Sequence, residues 1–153
     1  MRFIGTTETK VDTKGRTVIP VVFRRVLHEL GEDRVVLRKD DFQPCLTIYP
    51  ESTWAQLVDT MRVRLNRWDP RQQMMFRQFV SDVEVQTPDS AGRLLIPRRY
   101  LQMTGISGSA KFIGMDDCME LWPDDGSGKP FMEAADFVAA MQEIMNPNSS
   151  EKQ

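Results

Sequence analysis

A chain of 153 residues, 41% hydrophobic and 27% charged, has the make-up of one globular domain, or of two small halves fused into one. No apolar run approaches the roughly 20 residues that span a bilayer, and the opening MRFIGTTETK lacks the features of a signal peptide, so a cytosolic chain without membrane contact is expected. The net charge of −2 argues against a simple polybasic nucleic-acid binder. It is unevenly spread, however: residues 1–115 carry 18 Lys/Arg against 13 Asp/Glu, and residues 116–153 carry 2 against 9. A local basic field can still meet nucleic acid.

In chain order, FIGTTETKV alternates apolar and polar residues as a strand does, and Asp12 to Gly15 reads as a turn. RTVI resumes a strand, and Pro20 suits a first helical position. The following segment places Val22, Phe23, Val26, Leu27 and Leu30 on one helical face, with Gly31 as its stop. RVVLRK and CLTIYP predict two further strands around an acidic turn at Asp40 and Asp41. Ser52 is expected to cap a helix bearing Trp54, Leu57, Val58, Met61 and Leu65. Asp69-Pro70 opens a second helix, with Met74, Met75 and Phe79 on its buried side.

The order then repeats. FVSDVEVQT predicts a strand, PDSAG a turn, RLLI a strand and PRRYLQMTG a short helix; AKFIGM and CMELWP are the last two strands. VDTKGRTVIP and PDSAGRLLIP share five of ten positions, and the offset between copies is 77 residues at Gly-Arg and 73 at the last strand. DDGSGK is a loop, PFMEAADFVAAMQEIM an amphipathic helix and NPNSSEKQ a polar, frayed tail. The expected organisation is a first repeat over 1–50, a helical linker over 51–79, a second repeat over 80–123 and an acidic loop, helix and tail over 124–153.

Catalytic chemistry finds little footing. His28, the one histidine, sits in a predicted last helical turn, where it complements the dipole. Cys45 and Cys118, far apart in sequence with no histidine nearby, make a poor zinc site and read as reduced, buried or half-buried thiols. No phosphate-cradling glycine motif is present, and the Asp pairs fall in turns. No enzyme activity, metal or cofactor is expected. What stands out is arginine. Lys10, Lys14, Arg16, Arg24 and Arg25 surround the first turn, and Arg93, Arg98 and Arg99 the second. A guanidinium beside a tight turn can pair with guanine or with phosphate, or it can simply brace the turn against Asp12 or Asp89. Both readings stay open on pattern alone.

VDTKGRTVIPVVFRR resembles the swapped-hairpin DNA-binding motif of the AbrB-like regulators. Two such copies with a helical pair between them are similar to the MraZ family of bacterial transcriptional regulators, over about residues 2–123. The resemblance implies an α+β, mainly β fold, in which each copy supplies half of an interlaced small barrel with helices between and after the repeats. It implies a homo-oligomeric ring, commonly of eight chains. It also implies repression of the division and cell-wall gene cluster through short G-rich direct repeats of double-stranded DNA. Lys14 and Arg16 match the first DNA-contacting loop, Arg93 the second, and Arg24 and Arg25 the arginine pair closing the motif. The second copy departs from the pattern: Ala91 stands at the lysine position, Leu101 and Gln102 at the arginine pair, and the arginines move to Arg98 and Arg99. Thr17 stands where an apolar residue is usual, which is expected to weaken its strand. A protein-interaction or assembly module without DNA readout is the alternative.

Overall fold

The computed structural model describes residues 2–146. Among them are eight strands and five helices. In the first copy these are β1 (Thr6–Val11), β2 (Arg16–Val18), α1 (Val21–Glu29), β3 (Val35–Lys39) and β4 (Leu46–Pro50). The helices α2 (Glu51–Arg64) and α3 (Pro70–Ser81) follow. The second copy supplies β5 (Glu84–Gln86), β6 (Arg93–Leu95), α4 (Arg98–Thr104), β7 (Gly108–Gly114) and β8 (Met119–Pro123), and α5 (Ala134–Met145) comes last. No helix here is long and apolar enough to cross a membrane. The expected frayed tail lies, beyond Asn146, outside the described residues.

The copies interlace. One antiparallel sheet runs β1-β7-β8-β4-β3-β5, and β2 pairs with β6 in a separate ribbon. Each copy's first strand therefore pairs with the other copy's third: β1 with β7 (Thr9↔Ala110) and β5 with β3 (Val85↔Val36). The two last strands meet at the centre, where Thr47 faces Glu120. The order is the same read from either edge once equivalent strands are exchanged, as a duplicated sequence folding on itself requires. The expected barrel is realised as an open six-stranded sheet accompanied by the ribbon.

One core joins the copies. Ile19 and Ile96, Phe23 and Tyr100, Leu46 and Met119, and Ile48 and Leu121 are equivalent pairs, and all eight side chains are buried in the same cluster. Phe23 packs edge-on against Phe3 at 5.7 Å and against Phe112, from the other copy, at 6.4 Å. Such aromatic contacts add to the burial of apolar area. The Tyr100 hydroxyl, which Phe23 lacks, donates to the Asp82 carbonyl at 3.1 Å.

Several local expectations change. Helices α1, α2 and α4 all begin after a proline in the N-cap position, with φ near −55° and ψ near 144°. Pro20 thus precedes the first helical residue, and Ser52 lies inside α2 rather than capping it. The Ser52 N–H instead donates to the Glu32 carboxylate at 3.2 Å, a cap supplied from another part of the chain. Asp69 caps α3 as expected, accepting from the Arg71 N–H at 2.9 Å. On α3, Met74 and Met75 are exposed, and Phe76, Phe79 and Val80 form the inner face. Phe79 stacks on Trp54 of α2 at 5.2 Å and carries the Arg38 guanidinium on its ring at 4.2 Å. Phe79 to Ser81, expected as the start of a strand, are the last residues of α3 instead, and β5 begins only at Glu84. On α1, Val22 and Leu30 lie at the exposed margin of the stripe.

Thr17 is not a weak point. It is 2% exposed, and its hydroxyl donates to the Lys10 carbonyl at 2.9 Å and lies 3.2 Å from the Thr9 hydroxyl. A buried hydroxyl with its hydrogen bond made stitches β2 to β1. In the second copy Gln86 does the equivalent work, exchanging two hydrogen bonds with the Leu95 backbone.

Candidate nucleic-acid interface

The site begins with one aspartate per turn. Asp12 Oδ1 accepts the backbone N–H groups of Lys14 at 2.9 Å and Arg16 at 2.8 Å, and its Oδ2 takes Arg16 Nε at 2.7 Å. Asp89 repeats this with Ala91 at 3.0 Å, Arg93 N–H at 2.9 Å and Arg93 Nε at 2.7 Å. The hydrogen bonds that Arg16 and Arg93 give, the backbone N–H foremost, hold both carboxyls below the usual aspartate range. The turn then closes on glycine: Gly15 has φ +87° and Gly92 φ +81°. At Gly15 a Cβ would also meet the Ile96 carbonyl oxygen at 2.6 Å, so both conformation and space call for glycine.

A folded-state pKa below the unfolded value stabilises the fold above the unfolded pKa, and that contribution is lost as pH falls through the folded value. The reference carboxyl lies near ~3.9. The double variant Asp12→Asn/Asp89→Asn is therefore expected to show a shallower fall in melting temperature than the parent as pH drops below about 4. Identical acid limbs in a circular-dichroism melt series would remove the turns from acid sensitivity.

The side chain of each arginine thus braces its turn, as one of the two readings had it, but only through Nε. Among the described residues no hydrogen bond from Nη1 or Nη2 of Arg16 or Arg93 is formed, and each side chain is about half exposed, at 47% and 52%. The aspartate fixes the fork and leaves its two outer nitrogens for a ligand. The turns are then locked together. The Ile19 N–H donates to the Gly92 carbonyl and the Ile96 N–H to the Gly15 carbonyl, both at 2.8 Å, extending the β2–β6 ribbon at either end. In its register Arg16 faces Leu95 and Val18 faces Arg93. Thr17 and Leu94 point inward, so Arg16, Val18, Arg93 and Leu95 share the outer face. The arginines are a diagonal pair, a spacing of roughly 7–8 Å in a regular antiparallel ladder.

A cleft of about 430 Å³ on this side is lined by Thr9, Lys10, Val11, Asp12, Arg16, Thr17, Val18, Arg93, Gly108 and Ser109. It brings together Lys10, Arg16 and Arg93 of the eight expected contact residues. Lys10 Nζ donates to the Ser109 hydroxyl at 3.2 Å. Ser109 carried no signal of its own in the sequence; only the pairing of β1 with β7 puts it there. Lys14 is exposed at the turn apex, Arg25 is exposed on α1, and Arg98 is exposed at the start of α4. Arg24 is half-buried and donates through Nε to the Ile19 carbonyl at 3.0 Å. Arg99 is already engaged, pairing with Glu84 at 2.8 Å and Asp82 at 3.3 Å and lying 4.4 Å from the Tyr100 ring centre.

Asp40, Cys45 and Glu120 bring one ligand-type atom each within 4.8 Å of one another. Burial foremost, then the charges of Glu120 and Asp40, pushes the Cys45 thiol up to about 12, and burial first, then Asp117, does the same for Cys118. A neutral thiol is neither a good ligand nor a nucleophile. Glu120 is taken by the Trp122 indole N–H at 2.9 Å. Both thiols are expected to resist a disulfide exchange reagent at pH 8 in the folded protein and to react fully in denaturant. Rapid native labelling of either would contradict their burial.

The MraZ family model, described as "MraZ protein, putative antitoxin-like", matches residues 2–78 and again 79–129. A Bacteroides thetaiotaomicron protein named Transcriptional regulator MraZ is 51% identical over 146 residues, covering 95% of this chain and 94% of its own. Proteins of the same name from Bacteroides fragilis and Phocaeicola vulgatus are 51% identical over 145 residues and 47% identical over 150. These alignments cover 95% and 98% of this chain, and 92% and 97% of the relatives.

Proposed function

The chain belongs to the MraZ family, and from that premise we propose that it is a sequence-specific, double-stranded-DNA-binding transcriptional regulator rather than an enzyme. The observation that carries this is the pair of aspartate-braced arginines, Arg16 and Arg93, on the outer face of one two-stranded ribbon. The major groove of B-DNA admits a two-stranded ribbon, and a guanidinium with two free nitrogens matches guanine O6 and N7. Lys10 shares the cleft with that pair and Lys14 sits at the apex of the first turn, and with Arg24, Arg25 and Arg98 they suit phosphates, whereas Arg99, paired with Glu84, serves in this reading to hold α4 to β5. The low net charge is no obstacle, since each tip needs only its own basic surroundings.

The finer reading follows the family. The chain represses the division and cell-wall gene cluster by binding short G-rich direct repeats upstream of its own operon, and it acts in the cytoplasm at the nucleoid. A homo-oligomeric ring, of eight chains, would set several ribbons on successive repeats and add their contacts through effective concentration. Support comes from the apolar outer side of α5, where Phe137, Val138, Met141, Ile144 and Met145 are exposed. The test is a gel shift with duplex from upstream of the chain's own gene against a scrambled duplex, with light-scattering mass in parallel. Equal binding to both duplexes, or none at low salt, would leave an assembly module without DNA readout.

A further inference from the structure

The helical pair between the copies has no counterpart in either repeat, and no residue of α2 or α3 is buried. Its turn region holds Arg62, Arg64, Arg67 and Arg71 against a single carboxylate, Asp69. Asp69 is spent on the cap of α3, where it accepts the N–H groups of Arg71 and Gln72. Among the described residues no carboxylate pairs with any of these guanidinium groups, and none of them makes a side-chain hydrogen bond. The helix dipole accounts for Arg62 and Arg64, in the last turn of α2. It does not account for Arg67, which lies beyond that helix, or for Arg71, at the positive end of α3.

Two of these arginines share a cleft. The turn that carries Arg67 is tied at both ends: the Asn66 N–H donates to the Gln72 side-chain carbonyl at 2.6 Å, the Trp68 N–H to the Asn66 side chain at 3.0 Å, and the Gln73 N–H to the Asp69 carbonyl at 3.1 Å. Beside it lies a cleft of about 380 Å³ lined by Arg62, Leu65, Arg67, Gln73 and Phe76. The two arginines are exposed, and Leu65, Gln73 and Phe76 are half-buried. The cleft therefore has cations at its rim, apolar side chains deeper in and one amide. We infer that it binds a small aromatic phosphate monoester, of the size of a mononucleotide. The phosphate lies on Arg62 and Arg67, the flat ring on Leu65 and Phe76, and the Gln73 amide meets the ring's polar edge. A phosphate monoester brings about two negative charges and three acceptor oxygens, which two guanidinium forks satisfy better than they satisfy a singly charged carboxylate. The volume lies toward the lower end of the range for small-molecule pockets, and a bare phosphate would leave the apolar part unfilled. The cleft shares no residue with the one beside the arginine ribbon, so this inference stands apart from the DNA-binding reading.

The test is isothermal titration calorimetry on the full chain at fixed ionic strength. The probes are AMP and GMP, with adenosine and inorganic phosphate as the separate halves of the ligand. At least one mononucleotide is expected to bind, and each half to bind about tenfold more weakly or worse. The double variant Arg62→Gln/Arg67→Gln changes only exposed side chains and should melt like the parent. It should lose about tenfold or more in mononucleotide affinity while adenosine is unaffected. Arg62→Lys/Arg67→Lys should recover part of that loss. Phe76→Leu should narrow the gap between mononucleotide and inorganic phosphate; should it not fold, Phe76→Met takes its place with the same expectation. The inference is overturned if neither mononucleotide binds, if the glutamine variant binds as the parent does, or if inorganic phosphate binds as tightly as the mononucleotides. A glutamine variant that keeps its mononucleotide affinity but loses affinity for every duplex assigns these arginines to the DNA backbone instead, and overturns it as well.

Discussion

Arg16→Ala is expected to abolish the preference for the upstream duplex while leaving the mass of the particle unchanged. A bidentate arginine–guanine contact discriminates by about 1–3 kcal/mol, roughly a 5- to 150-fold change in affinity per contact. If several copies engage repeated sites at once, these factors multiply until only salt-sensitive, non-specific binding remains. The structure gives reason to expect little collateral damage. Arg16 Nε gives one exposed contact to Asp12, but the turn is also held by the Lys14 and Arg16 N–H groups on the same carboxylate, which the substitution leaves in place. Lys14→Ala is expected to behave differently, lowering affinity for all duplexes evenly and flattening the salt dependence. Retained discrimination by Arg16→Ala in a gel-shift titration would take base reading away from this residue.

Phe23→Ala should have the largest effect on stability. Its ring is 1% exposed and touches Phe3 and Phe112, one from each copy. Removing a buried phenylalanine costs about 3–5 kcal/mol, the lost transfer energy plus the cavity left behind. In a chain of this size that is a fall in melting temperature of roughly 10 °C or more. The loss should appear as one cooperative transition in urea, because the ring belongs to a core shared by both repeats. A change below about 1 kcal/mol, or two separated transitions, would mean that the copies fold as independent units.

Of the two readings of the turn arginines, the structure shows the bracing, made by Nε of each side chain, and this leaves Nη1 and Nη2 of the same guanidinium for the DNA contact proposed above, so Asp12 and Asp89 orient the groups they partly neutralise. That division was not legible in the letters D-x-x-G-R. Those letters did carry the turn: the aspartate's reach to the amides two and four residues on, and the glycine's positive φ, are local chemistry written within five residues. The cap at Asp69 was legible for the same reason. Ser52 failed as a cap because Pro50 moved the helix start, and the acceptor that serves its N–H comes from Glu32. Met74 and Met75 failed because periodicity defines a stripe without saying which of its edges a neighbouring Trp54 will cover.

By itself, then, the sequence determined what depends on neighbours along the chain. The six-element succession and its repetition, the turn chemistry, most of the strands and the arginine positions all follow from propensity, spacing and local hydrogen bonding. The tertiary structure decided what depends on neighbours across it. No local signal says that β1 pairs with β7 instead of β3, that Ser109 meets Lys10, or that Arg24 crosses to Gly92. These contacts exist because neither copy can bury its own apolar side chains alone. Exchanging strands and helices brings both sets into one core, and the same exchange carries the arginine of one copy to the turn of the other.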